Sequence, residues 1–202
     1  MIEPREICGA VLAGGGSTRM GTDKAVLPLG DQTVLERITN ELSHCCDRVV
    51  INRDQPFPTT ALTIDVVHDT FLDAGPLAGL HAVLKNGSES FVLLSACDTP
   101  FIQKEVFHEM FQAFSKEKHA IVPIYENRIQ PLSGIYRRSL LPVVERLLQE
   151  GQRSMRSLLD QINVQYMSDF RSISEEAAAD HFFNMNTQEE YDTARTLLRK
   201  YR

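Results

Sequence analysis

The sequence lacks the basic excess of a general nucleic-acid binder. Its 21 Lys and Arg are outnumbered by 27 Asp and Glu, a formal net charge of -6, so no broad positive field draws in a polyanion. A local basic pocket for a small anion is compatible with that balance. Cysteine is sparse, at 4 in 202 residues. Cys8, Cys45, Cys46 and Cys97 form no Cys-x-x-Cys pair, and no paired histidines stand nearby, which argues against structural zinc. Cys8 and Cys97 lie in apolar runs and read as small buried residues; the adjacent Cys45 and Cys46 read as free thiols. No apolar run approaches the roughly 20 residues of a membrane-crossing helix. The amino terminus, MIEPREICGAV, has no basic stretch leading into a long apolar one, and so no secretory signal. The expectation is a reduced, cytoplasmic protein with neither membrane nor nucleic acid as partner. Repeats, linkers and low-complexity segments are also missing, so residues 1–202 are expected to form a single domain.

What is present is a globular composition, 43% hydrophobic and 24% charged, in an alternating order. Ile7 to Leu12 is a short apolar run without helical period, ending in glycines, and predicts a buried strand. Val34, Leu35, Ile38 and Leu42 share one helical face behind the cap candidate Thr33. RVVIN (48–52) and LTIDVVHD, over 62–67, predict strands. GPLAGLHAVLKNG predicts a helix from Pro76 to a stop at Gly87. SFVLLSACD predicts a fourth strand, near 91–95, and QKEVFHEMFQAFSKEK an amphipathic helix with Val106, Met110, Phe111 and Phe114 inward. The pattern then changes. AIVPIYENRIQPLSGIYRR reads as two extended segments around a polar turn, Glu126-Asn127-Arg128. Two helices follow, one closed by Gly151 and one capped by Ser154, then a short strand at VQYM. A short extended piece at Phe182 to Met185 precedes a last helix after Thr187. The fold class this predicts is α/β, Rossmann-like, with a mostly parallel sheet and helices on both faces. In such sheets ligands bind beyond the carboxyl ends of the strands. That rule gathers the glycine loop after the first strand, Asn52 after the second, and Asp98 after FVLLSAC at one edge.

The loop itself, LAGGGSTRMGTDKAVLPLG, fits a phosphate chain. Successive glycines let backbone N–H groups face an anion closely. Arg19 offers a planar fork to phosphate oxygens, and Lys24 a point charge. It is not a P-loop, because Thr22 and Asp23 stand where Lys-Ser/Thr would follow Gly21. It is not a dinucleotide fingerprint, because Arg19 replaces the third glycine.

The same loop resembles the signature of the molybdenum cofactor guanylyltransferases, the MobA family of nucleotidyltransferases: Leu-Ala-Gly-Gly-x-Ser-x-Arg-Met-Gly-x-Asp-Lys, matched through Lys24. DAGPLAGL (73–80), FVLLSACDTPF, QPLSGIY and NMNTQEE (184–190) are similar to further family segments and keep the family order. Gln161 to Asp180 carries no matching motif. The resemblance implies transfer of GMP from GTP to the terminal phosphate of molybdopterin, in its molybdenum-bearing form, with magnesium, releasing pyrophosphate. It implies GTP contacts at Leu12, Ala13, Gly14, Lys24, Asn52 and Asp69, and both GTP and magnesium at Asp98. Arg19, Lys24 and Asp98 are the implied catalytic set. Asn184 and Asn186 match polar positions near the reacting groups, and Arg156 is a candidate for the anionic second substrate. A MobB-like GTP-binding accessory protein and molybdoenzyme acceptors are implied partners.

The residue chemistry is compatible with this. A phosphate attacking an α-phosphorus in line needs positioning and charge neutralisation rather than acid–base work. Magnesium takes one or two carboxylates plus phosphates, and Asp98 ends a buried strand. As residues alone, Asp98 also reads as a turn or cap aspartate beside Thr99-Pro100, Asp69 as a loop carboxylate, and Asn52 as a turn asparagine. Enzymes making the cytosine form of the cofactor resemble this family but tend to read Leu-Ala-Ala-Gly, so Gly14 favours guanine. A cytidylyltransferase and a non-catalytic nucleotide-binding regulator are the alternatives.

Overall fold

The computed structural model describes residues 6–14, 23–53 and 64–201. Arg19 and most of the glycine loop lie outside the described residues, as does the start of the expected third strand. In chain order the strands are β1 (Ile7–Leu12), β2 (Pro28–Leu29), β3 (Gln32–Thr33), β4 (Arg48–Asn52), β5 (Asp65–Val67), β6 (Phe91–Ala96), β7 (Ala120–Tyr125), β8 (Arg128–Ile129), β9 (Ile135–Arg137) and β10 (Val164–Met167). The helices are α1 (Val34–Ser43), α2 (Gly75–Asn86), α3 (Lys104–Ala113), α4 (Leu141–Gln149), α5 (Met155–Leu159), α6 (Glu175–His181) and α7 (Gln188–Leu197).

The main sheet runs β10-β7-β9-β6-β1-β4-β5, with β8 paired to β7. β1 lies parallel between β4 and β6, and β5 extends the parallel set. Every residue of β1 and β6 is buried. That is why both read as unbroken apolar runs: a central parallel strand is covered on both faces. Side chains of β1 alternate between two cores. Ile7 and Val11 pack with Leu35 and Ile38 of α1 and Val106 and Met110 of α3. Cys8, Ala10 and Leu12 pack on the other face with Leu77, Leu80 and Leu84 of α2 and Val144 and Leu147 of α4. Fully burying each such aliphatic chain contributes about 1.5–3 kcal/mol.

Caps fix where the helices begin. Thr33 and Glu36 form a reciprocal capping box on α1, and Thr187 and Glu190 form another on α7; each is worth about 1 kcal/mol. Ser154 caps α5. The turn after β7 is tighter than the sequence suggests. Glu126 (φ 48°) and Asn127 (φ 60°) alone make it, and Arg128 already pairs with Tyr125. Two consecutive positive φ values define the primed turn that suits a two-residue hairpin. β9 then runs antiparallel to both β6 and β7, which breaks the parallel pattern on that side.

Two sequence expectations need correction. The extended piece expected from Phe182 does not begin there, and Phe182 to Met185 joins no sheet among the described residues. Phe182 closes α6, and Met185 gives its N–H to the Asp98 carbonyl at 2.8 Å; hydrogen bonds spent on single partners leave none for a ladder. The α3 helix stops at Ala113, so Phe114 is buried beyond its end and Phe111 is only half-buried.

Candidate active site

Register brings the strand ends into one row. Leu12 pairs with Asn52 on one side and Ala96 on the other, and Asn52 pairs with Val67. Residues just past those pairs therefore share the carboxyl edge: Ala13 and Gly14, Asp98, and Asp69. Cross-links between the loops tighten the row. Ala13 donates its N–H to the Asn52 carbonyl at 2.9 Å, and Cys97 donates to the Leu12 carbonyl at 3.2 Å.

Lys24 enters this edge from the far end of the glycine loop. Asp23 caps a short turn, Lys24–Val26, by accepting from the Ala25 N–H at 3.0 Å. The other carboxylate oxygen of Asp23 pairs with Arg53, which follows β4, at 2.6 Å, and the Arg53 side chain is nearly buried. The loop end is thus tied to the end of β4. Lys24, itself 9% exposed, donates from Nζ to Asn186 Oδ1 at 2.7 Å. The main chain one residue earlier, at Met185, holds Asp98. Residues 162 positions apart therefore meet at a lysine and a carboxylate.

Asp98 is half-buried. Burial pushes its carboxyl above the ordinary range, and the Lys24 charge partly opposes that. Among the described residues no side chain donates a hydrogen bond to its carboxylate. Among the described residues no group of three or more His, Cys, Asp or Glu is gathered as a metal cage. The donor set fits an ion brought in by phosphate oxygens and held by one carboxylate, as hydrated magnesium is. It does not fit zinc.

Asn52 is 3% exposed. Its amide N–H groups go to the Val67 carbonyl at 3.2 Å and to Asp69 Oδ1 at 2.7 Å. The amide hydrogens are committed to the protein, so Asn52 aims Asp69 rather than offering them outward. Gly79 makes this possible. A Cβ there would lie 2.5 Å from Asn52 Oδ1 and 2.9 Å from Leu12 Cδ2, so α2 reaches the edge only without one. At Gly14 a Cβ would meet none of the described residues within 4 Å.

On the other side of Asp98 lies a cavity of about 190 Å³. Asp98, Thr99, Gln130, Ser133, His181 and Asn184 supply its polar wall. Asn184 is exposed and donates to the Phe182 carbonyl at 3.3 Å. Arg156 is not brought here. It is not among the residues lining this cavity, and its guanidinium pairs with Asp160 at 3.1 Å, one helical turn on.

The structure therefore gathers Leu12, Ala13, Gly14, Lys24, Asn52, Asp69, Asp98, Asn184 and Asn186, and leaves Arg156 apart. Sequence reasoning missed Asp23, Arg53, Gly79, Ser133 and His181. Asp23, Gly79 and Ser133 stand inside quoted motifs and could have been found there. Arg53 and His181 carry no local signal.

With this geometry in view, the chain compares with known proteins as follows. The family model described as "MobA-like NTP transferase domain" matches residues 9–166. A molybdenum cofactor guanylyltransferase of Desulfosudis oleivorans is 29% identical over 194 residues, covering 96% of each chain. A probable molybdenum cofactor guanylyltransferase of Bacillus cereus is 34% identical over 190 residues, covering 91% of this chain and 92% of that one. The crystal structure of molybdopterin-guanine dinucleotide biosynthesis protein A from Archaeoglobus fulgidus shares the fold, with a TM-score of 0.82 over 96% of this chain and 99% of that one, at 23% identity.

Proposed function

The chain belongs to the MobA-like NTP transferase family, and we propose on that premise that it transfers GMP from GTP to the terminal phosphate of molybdenum-bearing molybdopterin. An oxygen of that phosphate bonds to the α-phosphorus of GTP. The bond from the α-phosphorus to the bridging oxygen breaks, and pyrophosphate leaves with that electron pair. The product is the guanine dinucleotide form of the cofactor. The observation that carries this reading is the meeting of Lys24 and Asp98 at the carboxyl edge, linked through Asn186 and Met185.

Each residue then has a task. Lys24 is a fixed, nearly buried cation for the triphosphate, and Asn186 holds it. Its charge opposes the charge that grows on the departing pyrophosphate. Asp98 would hold magnesium, which when bound neutralises phosphate oxygens. Asp69, aimed by Asn52, is placed to accept N–H groups of a base, and guanine presents such donors. Leu12, Ala13 and Gly14 line the same side, and Gly14, whose Cβ position no other described residue crowds, leaves room for a purine. Arg19, outside the described residues, is assigned to phosphate oxygens. Asn184 lies on the opposite side of Asp98 from Asn52, where a second substrate approaches.

Residues 1–202 act in this reading as one nucleotidyltransferase domain in the cytoplasm. Among the described residues no helix is long and apolar enough to cross a membrane. A MobB-like accessory protein and molybdoenzyme acceptors belong to the same reading.

The test is product formation from GTP, molybdopterin and magnesium, followed by mass spectrometry of the dinucleotide and by pyrophosphate release. GTP is expected to outcompete CTP and ATP. Equal or better use of CTP would overturn the guanine assignment, and binding of GTP with no turnover would favour a regulator.

A further inference from the structure

His181 is the last residue of α6, and it is 1% exposed. Phe107 and Phe182 hold its ring by edge contacts, with centroids 5.1 Å and 4.5 Å away. Its Nδ1 accepts the backbone N–H of Gln103 at 2.8 Å. A backbone N–H can only donate, so Nδ1 carries no proton. Burial draws the pKa of the ring down to about 3, so the imidazole is neutral and its one proton sits on Nε2. Nε2 lies 3.0 Å from Ser133 Oγ. The histidine is therefore the donor and the serine oxygen the acceptor.

That assignment fixes the serine hydroxyl. Its own hydrogen cannot point back at Nε2–H, and among the described residues it has no other acceptor. Ser133 lines the cavity beside Asp98. Its backbone is also fixed. It ends the Pro131–Ser133 turn, which the buried Tyr136 hydroxyl pins by donating to the Pro131 carbonyl at 2.7 Å. The next residue's carbonyl accepts the Leu94 N–H of β6 at 2.9 Å. The hydroxyl oxygen is held at the cavity wall by a buried ring, and its hydrogen is left for a partner other than His181.

We infer that Ser133 is a binding residue for the acceptor substrate, giving its hydroxyl hydrogen to an oxygen of the acceptor's terminal phosphate, and that His181 is the residue that positions it. This rests on the reading of the site as a GMP transferase. An acceptor attacking beside Asp98 brings its phosphate there. Among the described residues no Lys or Arg lines the cavity. Neutral donors hold a phosphate without cancelling the negative charge that makes its oxygen a nucleophile. The cations, Lys24 foremost, stand on the nucleotide side.

Steady-state transfer with molybdopterin and GTP tests this in the wild type, Ser133→Ala, Ser133→Thr and His181→Gln, with melting temperatures on the same preparations. Ser133→Ala is expected to raise KM for molybdopterin by about tenfold or more, the range for a hydrogen bond to a charged group, with KM for GTP unchanged. Ser133→Thr, which keeps the hydroxyl, is expected to recover most of that loss. An unchanged KM for molybdopterin in a folded, active Ser133→Ala protein overturns the inference alone. A wild type that transfers GMP to no molybdopterin overturns the functional reading, and this inference with it. NMR of 15N-histidine-labelled protein, with His181→Gln to assign the signal, reads the tautomer independently of any substrate. A protonated Nε2 supports the inference, and a protonated Nδ1 removes its basis.

Discussion

The two sides of Asp98 are built differently. The proposed nucleotide side is made from the ends of neighbouring parallel strands: β1 ends at Leu12 with Ala13 and Gly14 just beyond it, β4 gives Asn52, and Asp69 follows β5. One register sets all of them. The proposed acceptor side is assembled from pieces far apart in the chain. It takes the turn before β9, the end of α6 and the segment from Asn184 to Asn186, joined by side-chain bonds such as Ser133 to His181 and Lys24 to Asn186. A sheet edge positions its residues through many backbone hydrogen bonds at once. An assembled pocket, if it takes the second substrate as proposed, depends on a few long-range side-chain contacts, and single substitutions reach it.

The residue where the two sides meet should give a large effect. Lys24→Ala removes the cation proposed to face the triphosphate and the N–H donor that Asn186 Oδ1 accepts. Transfer is expected to fall on the order of 10²–10³, as for loss of one preorganised electrostatic partner. Near-normal turnover in a folded Lys24→Ala protein would place the lysine outside the chemistry.

A second substitution strikes the nucleotide side alone. In Gly79→Ala the new Cβ falls 2.5 Å from Asn52 Oδ1, and Asn52 must move. A loss of about 1–3 kcal/mol in stability is expected from the overpacking, with KM for GTP raised and KM for molybdopterin little changed. Measuring both constants decides it: a shift in the molybdopterin constant alone would mean the two sides are not separate.

On the acceptor side the expected effect is on pH. The folded ring of His181 stays neutral down to about 3, against an ordinary value of 6.5. Between those values the unfolded chain binds one proton more than the folded one, so the stabilisation is complete above pH 6.5 and is lost as pH falls toward 3. The slope reaches about 1.4 kcal/mol per pH unit. His181→Gln should flatten urea-derived stability across pH 6.5 to 4; an unchanged slope would mean the ring is not buried neutral.

The smallest effect on the fold is expected at Gly14→Ala. Its Cβ would meet none of the described residues within 4 Å, so stability should stay within about 0.5 kcal/mol, while preference for GTP over CTP narrows. A large loss of stability would assign the glycine to the turn instead of the ligand.

The same contrast explains what could be read from the sequence. IleCysGlyAlaValLeu and PheValLeuLeuSerAla announce central strands because both faces are buried, and the residues after them fall at the ligand edge by topology. Thr33, Ser154 and Thr187 announce helix starts because their side chains cap locally. The helix α6 was not legible. Its sequence, EEAAADH, has no broad apolar stripe, and only Ser174 followed by two glutamates marked a start. Nothing near His181 says that Gln103 and Ser133 will meet it, since those contacts span 78 and 48 residues. The pairing of Asp23 with Arg53 was hidden for the same reason. Local physics writes itself into neighbouring residues; contacts made by tertiary closure do not.

The central claim is that Asp98 sits at the boundary as the anchor of a phosphate-borne cation. GMP transfer against magnesium concentration, with melting temperature on the same metal-free preparations, tests it for the wild type and Asp98→Asn. Burial disfavours the charged carboxyl in the metal-free fold, so Asp98→Asn should melt at the wild-type temperature or above. Its transfer should fall on the order of 10² or more, with part of the loss regained as magnesium rises. A lowered melting temperature together with wild-type turnover per folded molecule would contradict the account and make Asp98 a turn residue.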